Sequence, residues 1–484
     1  MTEERDSIVQ ASMLIAGRAL PGRGDRITIY SPYRGEPVGE TAEATPEEIE
    51  DALASASAAA RDAELHVGGR RAAVLERVAA LVETEVDEFA RLIALEQGKT
   101  IGEARKEAGR VPLLLRVCAG EARRLGGETV PLDQGDDGIG CLGLTVRIPV
   151  GVVVAITPFN YPLLLVAHKL GPAFAAGNAV ILKPATVTPL SGLRLAQLFA
   201  EAGAPEGSVQ CVTGSGAGVG MSLVRDPRVR AVTFTGSEPV GRAIAASAGV
   251  KRLLLELGAN CPLIVAADAN IEQAAAATAV GGYSNAGQAC ISAQRVLVQR
   301  EVYGDFLDAL IERVAAIKAG DPLDETSTMG PLISEQEAER VTSAITEATA
   351  LGAKILQGGH RDGSLVAPTV VSDVSPDSSL FSEELFGPAV GVTSVNSLDE
   401  AIVLANRSEF GLGAGIFTEN VHNALRFVRE VEAGVLQVNW SPLWRADSMP
   451  YGGLKGSGIG KEGPRWAIEE LTELKTVVFH PPAT

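Results

Sequence analysis

The amino-acid sequence predicts an α/β protein built from two domains with parallel sheets, together with a small additional β element. Short β-rich runs alternate with helical stretches from position 146 to 257. These runs are continuously apolar rather than alternating, which is typical of strands buried on both faces of a parallel sheet. A second alternating set begins at residue 263, and a length of 484 residues leaves room for roughly two to four domains.

The first domain begins with helices and continues with strands. The region from 46 to 125 is rich in alanine and has a helical pattern, and Thr45 precedes Glu48 at the spacing of a capping box. Ligands bind at the carboxyl ends of the strands in a parallel sheet. The predicted strands of this domain are 146–156, 178–184, 208–214, 230–236 and 251–257.

The second set of strands shows the same alternation. Helical stretches separate its members, one ending near residue 287 and another covering 303–320. The predicted strands are 263–266, 293–299, 366–374, 386–395, 411–418 and 434–439.

These patterns predict where the domains begin and end. The first domain covers 1–125 and 146–258, and the second covers 259–469. Segments 126–145 and 470–484 form a bridging element of extended chain without a helix of its own. Because a free β edge is usually paired or covered, we expect these segments to pair across a subunit boundary.

Charge and cysteine content argue against several classes of function. With 42 Lys and Arg against 60 Asp and Glu, the net charge of −18 repels nucleic acid and anionic membranes. The start, MTEERDS, lacks the plan of a signal peptide, and no apolar run approaches the roughly 20 residues of a membrane span, so we expect a cytoplasmic protein. Five cysteines without a C-x-x-C pair and five scattered histidines indicate neither disulfides nor a metal site.

Polar side chains stand at the ends of the first-domain strands. Asn160 lies between two prolines in TPFNYP and offers two N–H donors, and Lys183 ends the next strand. A turn asparagine and a solvated lysine would give the same pattern. Ser237 stands at a helix N-cap, where free N–H groups can bind a pyrophosphate, although an ordinary capped helix looks the same.

Two further side chains have chemistry that depends on their surroundings. Glu256 lies between Leu255 and Leu257, so we expect it to be desolvated and its pKa raised, as suits a general base. A satisfied structural glutamate is the alternative. Cys290 lies among small uncharged residues in NAGQACISAQR and is either a nucleophile or a small core residue, since free cysteine is often buried.

Eight motifs, taken together, resemble the aldehyde dehydrogenase superfamily in their order and separations, over essentially the whole chain. They are PFNYP, KPATVTP, FTGSEPVG, LELGANCP, NAGQACISAQRV, EELFGP, SEFGLGAGIFT and MPYGGLKGSGIGKEG. The resemblance implies the aldehyde dehydrogenase fold, with a Rossmann-like cofactor domain, a catalytic domain and a small β oligomerisation element. It also implies a homodimer or a homotetramer.

The resemblance implies an NAD(P)-dependent oxidation of an aldehyde to a carboxylic acid. Cys290 would attack the aldehyde as a thiolate, and the Asn160 amide and the Cys290 backbone N–H would hold the oxyanion. Transfer of hydride would leave a thioester, which water activated by Glu256 would hydrolyse. No histidine lies near the cysteine in the sequence, so we expect a buried glutamate, a cofactor cation and backbone dipoles to deprotonate the thiol.

The resemblance also implies the cofactor contacts. Where many NAD-preferring members have glutamate, this chain has Thr186, which beside Lys183 can accept a 2′-phosphate, so we predict use of NADP, alone or beside NAD. The glycine string 214–220 is not a G-x-G-x-x-G fingerprint, because Val219 replaces the third glycine, and it would line the adenine side. The implied contacts are Ile156, Thr157, Phe159, Lys183, Ala185, Thr186, Gly216, Gly220, Phe234, Gly236, Ser237, Val240, Leu257, Glu384 and Phe386.

The substrate prediction rests on a narrower likeness. The chain is especially similar to the branch of the non-phosphorylating glyceraldehyde-3-phosphate and phosphonoacetaldehyde dehydrogenases. Arg124, Tyr161 and Arg445 fall where that branch places groups that bind an anionic substrate, and an arginine fork suits a phosphate, phosphonate or carboxylate. Phosphate-binding relatives often have an arginine directly before the cysteine, where this chain has Ala289.

Three alternatives stay open. The arginines could be surface or interface residues of an enzyme that oxidises neutral aldehydes. A CoA-acylating enzyme would need no base to activate water, so Glu256 favours hydrolysis. A catalytically silent binding or structural relative is disfavoured by the intact set of Cys290, Glu256, Asn160 and Lys183.

Overall fold

The computed structural model describes residues 8–482. The predictions that concern residues 1–7, 483 and 484, including the one about a signal peptide, lie outside the described residues. The helices are α1 (Pro46–Ala59), α2 (Gly68–Thr84), α3 (Val86–Gln97), α4 (Ile101–Arg124), α5 (Leu164–Ala175), α6 (Leu190–Glu201), α7 (Met221–Arg225), α8 (Glu238–Ala248), α9 (Ile271–Tyr283), α10 (Tyr303–Ala315), α11 (Glu335–Ala350), α12 (Ser379–Ser382), α13 (Leu398–Asn406), α14 (Val421–Glu430) and α15 (Pro464–Glu470).

The strands alternate with these helices. In the first half they are β1 (Val9–Gln10), β2 (Met13–Ile15), β3 (Arg18–Leu20), β4 (Arg26–Tyr30), β5 (Pro37–Ala42), β6 (Thr129–Val130), β7 (Leu142–Pro149), β8 (Val152–Ile156), β9 (Ala179–Lys183), β10 (Val209–Cys211), β11 (Val229–Thr235) and β12 (Arg252–Glu256). In the second half they are β13 (Cys261–Val265), β14 (Ala293–Gln299), β15 (Lys354–Gln357), β16 (Arg361–Asp362), β17 (Leu365–Val366), β18 (Thr369–Ser372), β19 (Ala389–Val395), β20 (Phe410–Gly411), β21 (Gly413–Phe417), β22 (Val435–Val438), β23 (Leu454–Lys455), β24 (Gly458–Ile459) and β25 (Thr472–Phe479).

The first domain is built on an eight-stranded sheet with the order β24-β12-β11-β8-β9-β10-β2-β3. Strands β8 to β12 run parallel, as predicted. At their carboxyl ends Ile156 pairs with Lys183 and with Phe234, and Thr235 pairs with Glu256. The polar residues that follow these strands therefore lie along one edge of the sheet, where ligands bind in folds of this class.

The second domain has a seven-stranded sheet with the order β15-β18-β19-β14-β13-β21-β22. All its pairs are parallel except that between β15 and β18. The two large sheets have separate apolar cores, one centred on β8 and β9 and the other on β13 and β14. The predicted two-domain α/β architecture is therefore confirmed.

The predicted strand 146–156 divides into two strands that belong to different sheets. β7 ends at Pro149, Gly151 has a φ of 120°, and β8 begins at Val152. Proline cannot donate to a strand ladder, and glycine accepts a positive φ without strain, so the chain turns here from one sheet to the other.

The bridging segments form a three-stranded antiparallel sheet with the order β25-β7-β6. β25 pairs with β7 of the same chain, from Thr472 opposite Pro149 to Phe479 opposite Leu142. The segments that we expected to pair across a subunit boundary thus pair with each other. Leu142, Leu474 and Phe479 remain more than half exposed on this sheet.

Two elements near the end of the predicted second domain join the first domain. β24 pairs with β12, with Ile459 opposite Leu255, and Ala467 and Ile468 of α15 pack into the first core. The chain thus returns to the first domain before residue 469. A two-residue strand has no periodicity, so its position depends on long-range pairing that local sequence does not show.

Candidate active site

A cavity of about 860 Å³ opens between the two domains, at the carboxyl edge of the first sheet. Its walls combine strand ends of the first domain, such as Ile156 and Leu257, with Cys290 and Trp440 of the second. Ligand pockets have volumes of about 300–1,000 Å³, so this cavity can hold a cofactor or a substrate of ordinary size.

Most of the predicted site residues line this cavity. Thr186 and Gly220 lie behind Lys183, and Glu256 directly precedes the wall residue Leu257. The predicted residues on the wall are Asn160, Cys290, Tyr161, Arg445, Ile156, Thr157, Phe159, Lys183, Ala185, Gly216, Phe234, Gly236, Ser237, Val240, Leu257, Glu384 and Phe386.

Arg124 is the one predicted substrate residue that the structure does not bring to the cavity. It is exposed at the last turn of α4 and donates hydrogen bonds to Glu121. Arg110, four turns earlier on the same helix, lines the cavity instead. Glu103, Glu107 and Arg110 recur at helical spacing on the cavity side of α4, and this polar stripe is the signal that could have identified Arg110.

Cys290 follows a tight turn at the end of α9. The helix ends at Tyr283, before the predicted end near 287, because the next residues adopt left-handed conformations. Asn285, Ala286 and Gly287 have φ values of 51°, 54° and 71°. Two non-glycine residues in this region cost of order 1 kcal/mol each, and such strain is concentrated at functional sites.

The Cys290 thiol is surrounded by protein on most sides. Its sulfur lies 3.0 Å from the Tyr451 hydroxyl oxygen. Burial raises the pKa of the thiol to about 12, although the Tyr451 hydrogen bond and the Arg445 charge act in the opposite direction. The thiol is therefore protonated at neutral pH in this structure.

Asn160 is tied to the loop that carries the cysteine. Its Nδ2 donates to the Gln288 carbonyl at 2.9 Å, which leaves the second hydrogen of that amide for another acceptor. Its backbone carbonyl accepts from Lys99 Nζ at 2.9 Å and from Asn285 Nδ2 at 3.0 Å. The Asn160 amide and the backbone of the cysteine loop are thus held in a fixed relation, as a donor pair for an oxyanion requires.

Glu256 is 4% exposed, and its Oε2 atom has no hydrogen-bond partner within residues 8–482. Burial raises the pKa of Glu256 well above its ordinary value, and the neighbouring Glu462 adds to this effect. Burial also opposes ionisation of Glu462, but Lys169 and Arg445 hold the pKa of Glu462 at about 2. Glu462 is thus ionised, whereas burial favours the protonated form of Glu256.

Arg445 is buried beside these carboxylates. Its Nη2 donates to Glu462 Oε2 at 3.1 Å and to His168 Nδ1 at 3.2 Å, and its guanidinium stacks 3.8 Å from the centre of the Tyr451 ring. Its Nε is buried and has no partner in the described part of the chain. An unpaired cationic N–H at a cavity wall is a ready donor for an anion.

His168 and Asp447 connect Arg445 to Arg110. His168 Nε2 donates to Asp447 Oδ1 at 3.0 Å, and Arg110 binds both oxygens of Asp447. Burial, with the Arg445 charge, lowers the pKa of His168 to about 4, so the imidazole is neutral, with a hydrogen on Nε2. Two arginines are therefore linked through one carboxylate and one neutral histidine.

Lys183, Thr186 and Gly216 stand at one end of the cavity. Burial lowers the pKa of Lys183 to about 8. Thr186 Oγ1 lies 3.4 Å from Lys183 Nζ and donates to the Gly214 carbonyl at 2.9 Å. Glu43, whose charge acts on Lys183, accepts hydrogen bonds from the backbone and side chain of Ser215.

Glu384 and two phenylalanines mark a different part of the wall. Burial raises the pKa of Glu384 to about 7, and its carboxylate accepts from the Ala259 backbone N–H at 3.0 Å. The rings of Phe159 and Phe386 meet edge to face, with their centres 5.9 Å apart. Ser237 is the N-cap of α8, and its side chain does not cap the helix, which leaves backbone N–H groups at this helix start for a ligand.

Several site residues escaped sequence reasoning. Each has a polar or charged side chain, and all but Arg110, whose side chain is 37% exposed, are largely buried. A sequence shows such burial only where the fold is known. They are Lys99, Glu107, Arg110, His168, Lys169, Asp447, Tyr451 and Glu462. Two of them, His168 and Lys169, stand on α5 inside the run LLLVAHKLG, where charged residues interrupt an apolar helix.

The described part of the chain has neither a membrane-spanning helix nor a cluster of metal-binding side chains. Across residues 8–482, no helix is long and apolar enough to cross a membrane. The same residues contain no group of three or more His, Cys, Asp or Glu side chains that could hold a metal ion.

Known proteins are similar in sequence to this chain over nearly its full length. Residues 20–477 match a family model described as the aldehyde dehydrogenase family. The 3-sulfolactaldehyde dehydrogenase of Priestia aryabhattai is 43% identical over 456 residues, which cover 94% of this chain and 95% of that protein.

Solved structures share the fold as well. An NAD-dependent aldehyde dehydrogenase from Sinorhizobium meliloti is 37% identical and has a TM-score of 0.95, covering 100% of this chain and 97% of its own. The NADP-dependent glyceraldehyde-3-phosphate dehydrogenase of Bacillus halodurans C-125, solved with NADP, is 35% identical with a TM-score of 0.94. It covers 97% of this chain and 99% of its own.

Proposed function

The chain belongs to the aldehyde dehydrogenase family of NAD(P)-dependent oxidoreductases, and from this premise we propose that it oxidises a small anionic aldehyde to the acid. The observation that carries the anionic substrate is the Arg445 guanidinium, whose unpaired Nε is buried at the cavity wall. Tyr451 contacts both Arg445, which would bind the anion, and Cys290, which would bind the aldehyde carbon. The two ends of the substrate would therefore lie about one tyrosine side chain apart. This separation favours a short substrate.

The cavity fits a nicotinamide dinucleotide. The start of α8 at Ser237 offers uncapped backbone N–H groups for a pyrophosphate, and Lys183 stands close to the glycine turn 216–220. The Thr157 hydroxyl is buried without a partner in the described residues, as expected for a group that meets a ligand. When bound, NAD(P)⁺ supplies the acceptor for the hydride.

The residues of the chain supply the remaining chemistry in this proposal. The Cys290 thiolate attacks the aldehyde carbon, and the free hydrogen of Asn160 Nδ2 and the Cys290 N–H hold the oxygen that becomes negative. After the hydride has left, the substrate is a thioester of Cys290. Glu256 then removes a proton from water, whose oxygen displaces the sulfur, and the raised pKa of Glu256 makes its carboxylate a stronger base for this step. A base at this position favours hydrolysis over transfer to CoA.

We also propose that NADP is used, alone or beside NAD. Thr186 and Lys183 adjoin at the end of the cavity where a 2′-phosphate would bind, and residue 186 carries no carboxylate to repel it. The carboxylate of Glu43, whose charge acts on Lys183, accepts hydrogen bonds from Ser215. The solved relative from Bacillus halodurans C-125 binds NADP within the same fold.

The substrate proposal includes two arginines. Arg110 and Arg445 approach the cavity from different domains and share the Asp447 and His168 link. Ala289 lies beside the cysteine and leaves that side of the cavity uncharged. Two cations suit a sulfonate, phosphonate or carboxylate, and the relative from Priestia aryabhattai is named for a sulfonated aldehyde.

A matched pair of substrates tests the proposal. The aldehydes 3-sulfolactaldehyde and lactaldehyde share one carbon frame and differ by the sulfonate, and both should be assayed with NADP and with NAD. We expect kcat/KM to be at least about tenfold higher for the sulfonated aldehyde, which corresponds to about 1.4 kcal/mol from one charged contact. Equal values for the two substrates would instead identify a dehydrogenase of neutral aldehydes, and glyceraldehyde 3-phosphate and succinic semialdehyde would show whether any anion suffices.

A further inference from the structure

Tyr451 is the hydrogen-bond partner of the Cys290 sulfur. It lies between β22 and β23, where its backbone forms an isolated bridge to Glu462. Its side chain is 2% exposed and packs in a small apolar cluster with Cys261 and Leu412. Its hydroxyl oxygen is 3.0 Å from Cys290 Sγ, so the phenol touches the atom that reacts.

Once the sulfur is an anion, the phenol can only be the donor in this contact. Burial raises the pKa of Tyr451 well above its ordinary value, and the nearby Cys290 adds to this effect. The hydroxyl therefore keeps its proton through the neutral and mildly alkaline range. A hydrogen bond donated to a charged atom favours the charged form, so this O–H stabilises a sulfur anion more than a thiol.

Arg445 fixes the ring and adds positive charge. Its guanidinium lies 3.8 Å from the ring centre of Tyr451, in cation–π contact, and is held from behind by Glu462 and His168. The Tyr451 side chain thus has the Arg445 guanidinium against the face of its ring and the Cys290 sulfur at its hydroxyl. Lys99 makes a similar cation–π contact with Tyr161, the other tyrosine of the cavity wall, whose hydroxyl makes no hydrogen bond to the sulfur.

The other charged groups near the sulfur act in both directions. Glu384 and Glu256 disfavour the thiolate, as does burial, whereas Arg445 favours it. The titratable groups facing Cys290 or Tyr451 are Cys261, Tyr161, Glu256, Glu384, Arg445 and Glu462. No histidine contacts the sulfur among the described residues, so the Tyr451 hydroxyl is the neutral donor that offsets the two carboxylates.

We propose that Tyr451 is a further catalytic residue, whose hydroxyl stabilises the Cys290 thiolate for attack on the aldehyde. This role rests on Cys290 being the nucleophile in the proposed function. The S–H bond breaks and its proton passes to a base in the surrounding water, while the phenol retains its own proton. The thiolate electron pair then forms the sulfur–carbon bond, and the aldehyde oxygen takes up the negative charge.

Alkylation of Cys290 by iodoacetamide measures this effect without aldehyde or cofactor. The thiolate displaces iodide, a sulfur–carbon bond forms, and the thiol proton goes to the buffer. The rate should be followed from pH 6 to 10 in the full-length wild type and in Tyr451→Phe, with peptide mass analysis identifying Cys290 as the modified residue. The substitution removes one buried oxygen and keeps the ring under Arg445.

We expect Tyr451→Phe to lower the alkylation rate at pH 8 about 10- to 100-fold and to displace the rising limb of the pH profile to higher pH. This range corresponds to the loss of one hydrogen bond to a charged atom. The rate of the NAD(P)H burst with aldehyde should fall in parallel and recover as the pH rises, while KM for an anionic aldehyde stays close to the wild-type value.

Tyr283→Phe is the matched control. Tyr283 is equally buried in the same domain, and its hydroxyl donates to the Thr369 carbonyl at 2.7 Å, away from the cavity. Loss of the Tyr283 hydroxyl should lower the free energy of unfolding and leave the pH profile of Cys290 alkylation unchanged. Superimposable profiles of Tyr451→Phe and the wild type would overturn the proposal. A wild type that oxidises no aldehyde, yet shows the Tyr451→Phe shift, would refute the dehydrogenase assignment and leave the Tyr451–Cys290 contact standing.

Discussion

At the scale of single residues, the same amino acid type has opposite roles at different positions. Glu256 and Glu96 are both buried glutamates whose pKa is raised by burial, in the case of Glu96 to about 7. The Glu96 carboxylate accepts hydrogen bonds from Leu190 and Ser191, whereas Glu256 Oε2 has no partner in the described chain. A satisfied carboxylate supports the fold, and an unsatisfied one beside a cavity is free to bind a proton.

Glu256→Gln should separate the two halves of the reaction. A glutamine cannot accept a proton from water, so the thioester should form and then persist. We expect a burst of about one NAD(P)H per active site, followed by a steady-state rate about 10²- to 10⁴-fold below the wild type. Rapid mixing with aldehyde measures both phases.

The matched control for this change is Glu96→Gln. It removes an equally buried carboxylate outside the cavity, so turnover per folded enzyme should be retained while stability falls. Loss of the burst in Glu256→Gln would mean that Glu256 is needed before the thioester forms.

Thr186→Glu should change the cofactor preference. The new carboxylate would lie beside Lys183 and repel a 2′-phosphate, while it can accept hydrogen bonds from ribose hydroxyls. We expect kcat/KM for NADP to fall about tenfold or more, with that for NAD unchanged or higher. Val187→Glu places the same charge at a half-exposed neighbouring position and should leave the ratio unaltered. A strong preference of the wild type for NAD would contradict the proposal that the enzyme uses NADP.

At the scale of elements, α4 decides which arginine can meet a substrate. The helix has 24 residues, and its cavity-facing side carries Glu103, Glu107 and Arg110, while Arg124 stands on the exposed last turn. The sequence motif predicted Arg124 as the substrate-binding arginine of this helix. A sequence does not show how far along a helix a cavity extends. The Arg110 position follows from the packing of α4 against α5, which carries His168.

Arg110→Gln should therefore weaken the binding of anionic aldehydes. The change removes one cation and leaves Asp447 without its bidentate partner. We expect KM for 3-sulfolactaldehyde to rise about tenfold, with KM for lactaldehyde little changed. Arg124→Gln, on the same helix, should leave both values unaltered. A rise in KM for the sulfonated aldehyde alone in Arg124→Gln would contradict this expectation. It would mean that Arg124 reaches the active site of a second subunit.

Strand ends explain why part of the site was predictable. Lys183 and Glu256 were selected because they end buried parallel strands, and Asn160 because it follows one. The register places these strand ends along one edge. The positions of Tyr451 and Glu462 were not predictable in this way. They lie in irregular chain after β22, where no periodicity indicates direction, and long-range hydrogen bonds fix them.

At the scale of the whole molecule, a chain of polar contacts joins the two domains across the cavity. Arg110 and His168 belong to the first domain, and Asp447 and Arg445 follow the last strand of the second sheet. The pKa of His168 lies at about 4 in the folded protein, whereas an unfolded histidine has a pKa of about 6.5. Below pH 6.5 the unfolded chain thus binds a proton that the folded protein does not accept.

The sign of the resulting pH dependence follows from this difference. The stability contributed by neutral His168 is fully present above pH 6.5 and is lost as the pH falls towards 4. The free energy of unfolding of the wild type should therefore decrease over this interval more steeply than that of His168→Gln. The difference should reach at most about 3 kcal/mol. Denaturant unfolding at several pH values measures it, and His422→Gln, at an exposed position of α14, should keep the wild-type slope. Parallel curves for the wild type and His168→Gln would show that the imidazole is protonated in the folded state.

The sequence by itself determined the α/β class, the two parallel sheets and the family, and it predicted catalytic roles for Cys290, Glu256 and Asn160. These features depend on local periodicity and on motifs within short stretches, which a single chain displays directly. The tertiary structure alone decided that β24 and α15 return to the first domain, and that Arg110 rather than Arg124 reaches the cavity. It also decided that Tyr451 is the hydrogen-bond partner of the Cys290 sulfur. These depend on contacts between residues far apart in the chain, where burial and distance, rather than residue type, determine what a side chain can do.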